Sequence, residues 1–282
     1  MENYSVLMTI YEKDNPNYIK LSIDSIINQT IKTDDFVLVC DGPLNEQIYN
    51  IIDTYKNMYP TIFNIIYLKE NMGLGAALNY GLPLCKNRLV ARMDDDDISY
   101  PNRCETELKV FETNPKLGIV GSYVNEFSGD IKNIIRLKKV PTTHENIKKF
   151  SKRRNPFNHP TVMFDKNKIL EIGNYSKIRT NQDVELWLRA INNHVITHNI
   201  DKPLVYFRFD QKTYNRRKNF KNVKLMIKVW KEFYKKGYCN FNDFLYVFFM
   251  QVILYIAPRS LLNGLMIFLD NIKILNYRGR IK

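Results

Sequence analysis

Residues 89–103 read LVARMDDDDISYPNR and place four consecutive aspartates directly after a short apolar run. The apolar residues predict a buried strand, and the aspartates begin where that strand ends. Adjacent carboxylates repel one another, and this repulsion raises their pKa values unless a cation lies between them. Carboxylate oxygens suit Mg²⁺ or Mn²⁺, which commonly keep water and phosphate in their coordination shells. The stretch therefore predicts a divalent-cation site at the end of a strand.

Apolar runs alternate with segments of helical periodicity on the N-terminal side of this stretch. The predicted strands are residues 4–11, 34–43, 63–68 and 88–93, and the predicted helices are residues 18–30, 45–60 and 76–85. This alternation predicts an α/β fold with a mostly parallel sheet flanked by helices. In such sheets ligands bind beyond the carboxyl ends of the strands, where Asp41 and the aspartates at 94–97 fall.

The second half of the chain is less regular. A helix is predicted at 102–115, a strand at 116–127, a helix carrying Asp183 in its first turn at 181–193, and a last strand at 202–210. Residues 130–180 are polar and without clear periodicity, so they are predicted to be largely irregular.

The composition changes near residue 211, where a basic helix is followed by an apolar one. The apolar run that starts at residue 244 is broken by Pro258 and Arg259, so it is shorter than the roughly 20 residues that span a membrane. Two alternatives remain: an interfacial helical hairpin flanked by Lys and Arg, which the charge favours, or helices packed on the protein's own core. The predicted domains are therefore residues 1–215 and a C-terminal helical extension at 216–282.

The net charge of +13 and the pI of about 9.4 indicate an anionic partner. A membrane surface, a phosphorylated substrate and nucleic acid all qualify on charge alone. The basic residues are densest at 148–154, 214–224 and 276–282. No interleaved aromatic and basic motif of a nucleic-acid-binding fold is present, so nucleic acid is not the expected partner.

The four cysteines are widely spaced and form no CxxC pair, which predicts buried thiols in a reducing compartment. The N-terminus has no basic region followed by a long apolar stretch, so no signal peptide is predicted. We expect a cytoplasmic protein, peripheral on the inner face of the cell membrane.

Three other interpretations of the aspartates stay open on the sequence alone. An EF-hand loop from Asp94 would use Glu105 as its twelfth ligand, but Ser99 stands where glycine is needed. A phosphatase of the haloacid dehalogenase type uses an Asp-x-Asp after a buried strand, but Ile98 stands where Thr or Val is usual. The third is a solvated acidic turn before the helix that follows Pro101. A basic module without catalytic activity, binding membrane or nucleic acid, is the alternative in a different class.

Six motifs, in order, resemble those of the family 2 glycosyltransferases with the GT-A fold. They are VLMTIYEKDNPNYIKLSIDSIINQT (6–30), FVLVCDGP (36–43), NMGLGAALNYGL (71–82), ARMDDDDISYPNR (91–103), NHPTVMF (158–164) and NQDVELWLRA (181–190). The resemblance covers about residues 4–215 and implies a GT-A nucleotide-diphospho-sugar transferase with a C-terminal helical extension. It further implies an inverting, metal-dependent transfer of a hexose or N-acetylhexosamine from a UDP-sugar to a lipid-linked glycan, as in capsule or O-antigen synthesis.

The resemblance also implies a donor pocket. Asp41 corresponds to the residue that recognises the nucleotide base, and the exit of the first strand, Thr9, Tyr11 and Glu12, lines the same pocket.

The acidic run corresponds to the family's Asp-x-Asp motif. Asp96 is then the ligand of Mn²⁺ or Mg²⁺, and Asp94 or Asp95 contacts the ribose. Some relatives place a further metal ligand after the last strand, where this chain has Asp210. Arg92 is expected to supply positive charge to the donor.

Asp183 matches the catalytic base of the family, although an acid in the first turn of a helix is also common for its effect on the helix dipole. Gln182 replaces the usual Glu before it. Leu78 stands where relatives often carry Arg, and Arg208 is a second candidate for the missing charge. His159 is expected to have an acceptor-site or structural role, and Trp187 to lie in the core.

Overall fold

The computed structural model describes residues 1–209 and 219–256 of the chain. The strands are β1 (Tyr4–Ile10), β2 (Asp35–Cys40), β3 (Phe63–Tyr67), β4 (Leu89–Met93), β5 (Ile98–Ser99), β6 (Leu117–Phe127), β7 (Ile134–Lys138), β8 (Met163–Asp165) and β9 (Ile196–Arg208). The helices are α1 (Pro16–Ile27), α2 (Glu46–Met58), α3 (Leu74–Gly81), α4 (Arg103–Thr113), α5 (His144–Ser151), α6 (Lys166–Glu171), α7 (Gln182–Asn192), α8 (Phe220–Lys235) and α9 (Phe241–Ile256). Short 3₁₀ helices lie at Leu82–Leu84 and His159–Thr161.

The strands form one mixed sheet in the order β3-β2-β1-β4-β8-β6-β9-β5, with β7 paired to β6. Strands β3, β2, β1 and β4 are mutually parallel. Strand β8 is antiparallel to both β4 and β6, and β6 is in turn parallel to β9. The predicted α/β sheet flanked by helices is confirmed, and its parallel half carries the predicted strand exits.

Strands β1 and β2 are buried along their whole length. Val6 and Met8 face a core built with α1, α2 and α4, whereas Leu7 faces the opposite core with α3 and α7. Because helices cover both faces, every position of these strands must be apolar or hydrogen-bonded, which explains the continuous apolar runs in the sequence.

The prediction that residues 130–180 are largely irregular is wrong. Strands β7 and β8 and helices α5 and α6 all fall in this segment, and each is only three to eight residues long. Such short elements do not complete enough repeats for a period of 2 or 3.6 to show in the sequence. Strand β9 also begins at Ile196, ahead of the predicted residue 202.

Helices α8 and α9 form a hairpin that packs on the rest of the fold. Trp230 and Phe233 of α8 and Val247 of α9 share a buried cluster with Val184 and Leu188 of α7. The predicted alternative in which the C-terminal helices pack on the protein's own core is therefore correct for these two helices. The predicted domain boundary at 215/216 and the apolar segment after Arg259 lie outside the described residues.

No helix within residues 1–209 and 219–256 has both the length and the apolar character that crossing a membrane requires. The four cysteines are buried and unpaired, as predicted.

Candidate active site

The carboxyl ends of three parallel strands meet at one edge of the sheet. The register aligns Ile10 of β1 with Cys40 of β2, and Met8 of β1 with Met93 of β4. Residues that follow these strands therefore emerge side by side. Asp41 and the acidic run are among them.

The residues predicted to line the base pocket lie at this edge. Thr9 is buried near the end of β1, whereas Tyr11 and Glu12 are exposed just beyond it. Asp41 is buried after β2. The backbone N–H of Asp41 donates to the carbonyl oxygen of Ile10 at 2.8 Å, so the exits of β1 and β2 are joined directly.

Both carboxylate oxygens of Asp41 accept hydrogen bonds from the loop before α3. The backbone N–H of Met72 donates at 2.7 Å and that of Gly73 at 2.9 Å. Gly42 has φ 92°, and a Cβ atom there would lie 2.7 Å from the backbone nitrogen of Asn71. Glycine is thus required for the two loops to approach this closely.

The turn after β4 gathers three of its four aspartates. Asp94, Asp96 and Asp97 each place one carboxylate oxygen within 4.8 Å of the others. The hydroxyl of Ser22 on α1 donates to the carbonyl oxygen of Asp94 at 2.7 Å, which fixes the start of the turn.

Arg208, at the end of β9, holds the other side of this turn. Its backbone N–H donates to Asp97 Oδ1 at 2.7 Å, and its Nε donates to the carbonyl oxygen of Asp96 at 2.9 Å. The guanidinium lies 3.7 Å from the ring centroid of Tyr18 and 4.5 Å from that of Phe127. Arg208 therefore positions the acidic turn, in addition to supplying charge near it.

The three clustered aspartates fit the predicted cation. Asp97 Oδ2 is buried and has no hydrogen-bond partner within the described part of the chain. Burial, together with the charges of Asp96 and Asp94, raises the pKa of Asp97 well above its usual range. A bound Mg²⁺ or Mn²⁺ would pair with this oxygen and offset the repulsion, and the donor atoms are the carboxylate oxygens that these ions prefer. Asp210, the other predicted ligand, lies outside the described residues.

Asp95 is the member of the run that turns away from this cluster. Its carboxyl group hydrogen-bonds the carboxyl group of Asp14, which also accepts the backbone N–H of Tyr11 at 2.7 Å. Burial and the surrounding carboxylates raise the pKa of Asp95 well above its usual range. The pair ties the acidic turn to the exit of β1.

Arg92 is buried in β4 and pairs with Asp94. Burial alone would lower the pKa of Arg92, but the charge of Asp94 outweighs it and the pKa is raised. The Nε and Nη1 groups of Arg92 have no acceptor among residues 1–209 and 219–256. Its charge partly opposes the rise that burial causes in the pKa of Asp183. Arg92 therefore pairs with the acidic turn and partly offsets the effect of burial on the predicted base.

Asp183 lies in the first turn of α7, after Asn181 in a left-handed conformation. The Asn155 side-chain amide donates to Asp183 Oδ2 at 2.7 Å. Burial raises the pKa of Asp183, while the N–H of Val184, Asn155 and Arg92 partly oppose this effect. A half-buried carboxylate with a raised pKa suits proton abstraction.

The remaining predicted residues have supporting roles. Trp187 is fully buried in the core, as predicted, and so is Leu78, which leaves no basic side chain at that position. His159 Nε2 lies 3.0 Å from the Tyr175 hydroxyl, and burial lowers the pKa of His159 well below its usual range. Gln182 is buried at the start of α7.

Sequence reasoning did not single out Asp97, Asp14 and Asn155 for individual roles. Asp97 carried a signal, since it belongs to the quoted run. Asp14 and Asn155 stand in polar loops where no local pattern marks them, and only the folded chain shows their contacts with Asp95 and Asp183.

A family model described as glycosyl transferase family 2 matches residues 5–178. The chain belongs to this family. This family 2 glycosyltransferase is 38% identical to the UDP-Gal:alpha-D-GlcNAc-diphosphoundecaprenol beta-1,3-galactosyltransferase of Escherichia coli, over 91% of the chain and 92% of that protein. It is 34% identical to the amylovoran biosynthesis glycosyltransferase AmsE of Erwinia amylovora, over 81% of the chain and 84% of that protein.

Solved structures support the GT-A fold. The crystal structure of Staphylococcus aureus TarS 1-349 superposes with a TM-score of 0.65 at 15% identity, covering 92% of the chain and 74% of that protein. The mannosyltransferase PcManGT from Pyrobaculum calidifontis, in complex with GDP-Man and Mn²⁺, gives a TM-score of 0.64 at 14% identity, covering 91% of the chain and 70% of that protein.

These findings decide between the alternatives raised by the sequence. The EF-hand alternative is wrong, because Glu105 bonds Lys109 and Thr30 and lies outside the Asp94 cluster. Because the chain belongs to a glycosyltransferase family, the phosphatase interpretation and the interpretation as a non-catalytic basic module are both wrong.

Proposed function

We propose that this family 2 glycosyltransferase is inverting and metal-dependent, and that it moves a hexose or N-acetylhexosamine from a UDP-sugar to a hydroxyl group of a lipid-linked glycan. The observation that carries the proposal is the cluster of Asp94, Asp96 and Asp97 after β4, with buried Arg92 paired to Asp94. The name of the E. coli relative specifies UDP-Gal and a diphosphoundecaprenol-linked acceptor, which supports this substrate class. The E. amylovora relative is named for amylovoran biosynthesis, which supports a place in capsule- or O-antigen-type synthesis.

The donor side of the proposed site is built from strand exits. In the proposal Asp41 and Tyr11 contact the nucleotide base and Asp94 contacts the ribose, because the Asp95 side chain is paired with Asp14. A divalent cation held by the Asp94–Asp96–Asp97 cluster would neutralise the charge that develops on the leaving diphosphate. Buried Arg92 would add positive charge next to the donor, beside its ion-pair partner Asp94.

Asp183 performs the proton transfer in the proposed reaction. The acceptor hydroxyl oxygen forms a bond to the anomeric carbon, the bond from that carbon to the diphosphate oxygen breaks, and the hydroxyl proton passes to the Asp183 carboxylate. Attack on the face opposite the leaving group inverts the anomeric configuration. Asp183 must be ionised to accept the proton, and its raised pKa increases its proton affinity.

The test is a transfer assay on the purified full-length chain. A panel of UDP- and GDP-sugars is offered with a short-chain lipid diphosphate carrying GlcNAc, with Mn²⁺, Mg²⁺ or EDTA. We expect UDP release that requires both the acceptor and a divalent ion, and a product whose anomeric configuration, read by NMR, is opposite to that of the donor. Retained configuration would contradict the inverting mechanism, and full activity in EDTA would contradict the metal dependence.

The α8–α9 hairpin is the proposed membrane contact. Three apolar residues of α9 are exposed to solvent in the described part of the chain: Phe249 is 56% exposed, Ile253 43% and Ile256 72%. Four exposed lysines recur on one side of α8, at positions 224, 228, 231 and 235. Exposed apolar residues beside basic ones suit the interface of an anionic bilayer, which supports a peripheral position on the inner face of the cell membrane.

Replacing Phe249, Ile253 and Ile256 together by serine is expected to weaken binding to phosphatidylglycerol vesicles by about tenfold or more, because apolar area no longer enters the interface. Sedimentation with vesicles measures this. Leu21→Ser, at an exposed leucine of α1, is the matched control and should bind like the wild type. Equal binding by the triple variant would disprove the membrane role of α9.

A further inference from the structure

The loop between α5 and the 3₁₀ helix at His159–Thr161 carries Asn155, which contacts the proposed base. Its side-chain nitrogen donates to Asp183 Oδ2 at 2.7 Å, while its side-chain oxygen accepts the backbone N–H of Phe157 at 3.2 Å. Both ends of the amide are occupied, so its orientation is fixed.

The same loop is held by the C-terminal hairpin. Arg153 Nε lies 2.5 Å from Asp243 Oδ1 of α9, and the Arg153 guanidinium lies 5.0 Å from the ring centroid of Tyr246. The indole N–H of Trp230 on α8 donates to the carbonyl oxygen of Lys152 at 2.8 Å. Asp243 and Trp230 are almost fully buried, whereas the Arg153 side chain is 41% exposed.

The hairpin also packs against the helix that carries the base. Val184, the residue after Asp183, and Leu188 are buried against Trp230, Phe233 and Val247. Both partners of the Asn155–Asp183 hydrogen bond therefore stand on elements that the hairpin contacts.

We infer that the α8–α9 hairpin is part of the catalytic scaffold: its contacts with Lys152 and Arg153 hold the loop that carries Asn155, so that Asn155 orients the Asp183 carboxylate. The inference rests on the proposed function, in which Asp183 is the base. Asn155 contacts Asp183 and is therefore a positioning residue, and Arg153 and Trp230 act one step further away.

The hydrogen bond has a defined chemical effect. Burial disfavours the ionised form of Asp183, and the Asn155 N–H stabilises that form. The other groups that face this carboxylate are the Arg92 guanidinium from β4, the Tyr175 hydroxyl and the N–H of Val184. Without the Asn155 bond the carboxylate would rotate more freely and titrate at higher pH.

Asn155→Ala is accordingly expected to lower kcat about tenfold, the typical effect of losing a hydrogen bond to a charged group. The donor KM should stay within about twofold, because the donor side of the site is untouched. The acid limb of the kcat profile should move to higher pH. A purely structural role would lower the melting temperature without moving this limb.

The hairpin is tested by Arg153→Gln combined with Trp230→Phe, which removes the ion pair with Asp243 and the indole hydrogen bond to Lys152 and keeps an aromatic ring in the core. We expect a kcat loss of about three- to tenfold and a shift of the acid limb in the same direction as in Asn155→Ala. Adding Asn155→Ala to this double variant should lower kcat by a smaller factor than Asn155→Ala does in the wild type, because the effects of coupled residues are not additive. Lys149→Gln, an exposed charge change on α5, is the control and should behave as the wild type.

The side-chain amide signals of Asn155 in NMR report the same bond without any substrate. Arg153→Gln/Trp230→Phe is expected to abolish their protection from exchange, whereas Lys149→Gln should keep it. Unchanged protection, or an unchanged acid limb in both variants, would overturn the inference. A wild-type chain without transfer activity but with the expected loss of protection would instead contradict the proposed function and leave the hairpin's positioning role supported.

Discussion

Replacement of Asp183 by asparagine is expected to reduce kcat for sugar transfer by about 10²- to 10⁴-fold, the range that general bases contribute. The amide keeps the shape of the carboxylate and can still meet the side chain of Asn155, but it cannot accept the hydroxyl proton. Steady-state assays at saturating acceptor concentration separate the fall in kcat from any change in acceptor binding. The donor KM should change little.

The pH dependence gives a second readout of the same change. Because Asp183 acts in its ionised form and burial raises its pKa, wild-type kcat should fall as the pH drops through a value above that of an exposed aspartate. Asp183→Asn should lack this acid limb. Glu145→Gln, in the first turn of α5, removes a comparable helix-dipole charge and should leave kcat unchanged. If Asp183→Asn matched Glu145→Gln in kcat, the assignment of the base would be wrong.

Asp96→Ala is expected to lower kcat/KM by about 10²-fold or more, since stabilisation of the charge that develops in the transition state is commonly worth this much. The cluster would lose one of its three carboxylates, so the Mn²⁺ concentration for half-maximal activity should rise. Titration of Mn²⁺ at fixed donor concentration measures both effects.

Two other aspartates make the Asp96 result specific. Asp53→Ala, at an exposed position of α2, should retain wild-type activity. Asp95→Asn should alter the Mn²⁺ requirement far less than Asp96→Ala, because its side chain faces Asp14. An unchanged Mn²⁺ requirement in Asp96→Ala would show that the cation, if used, binds elsewhere.

The sequence predicts the parts of the site that follow strands. Asp41 and the acidic run end apolar runs, and parallel strands bring such ends to one edge, so their proximity follows from the fold class. No comparable rule predicts which distant loops contact one another. Asn155 reaches Asp183 across 28 residues and Arg208 reaches Asp97 across 111, and both depend on the antiparallel insertion of β8 and on the position of β9.

The C-terminal hairpin shows a related difficulty. The apolar run of α9 predicts burial or membrane contact equally well, because periodicity does not show whether protein or lipid contacts the apolar side of a helix. Only the cluster with Val184 and Leu188 shows that one side of the hairpin faces α7.

That cluster constrains how the chain can be divided or recombined. A truncation before α8 would leave Val184 and Leu188 facing water, next to the residue assigned to proton transfer, and would remove the partners of Lys152 and Arg153. A chimera that carries the tail of a relative would need matching side chains on α7 to refill the same space.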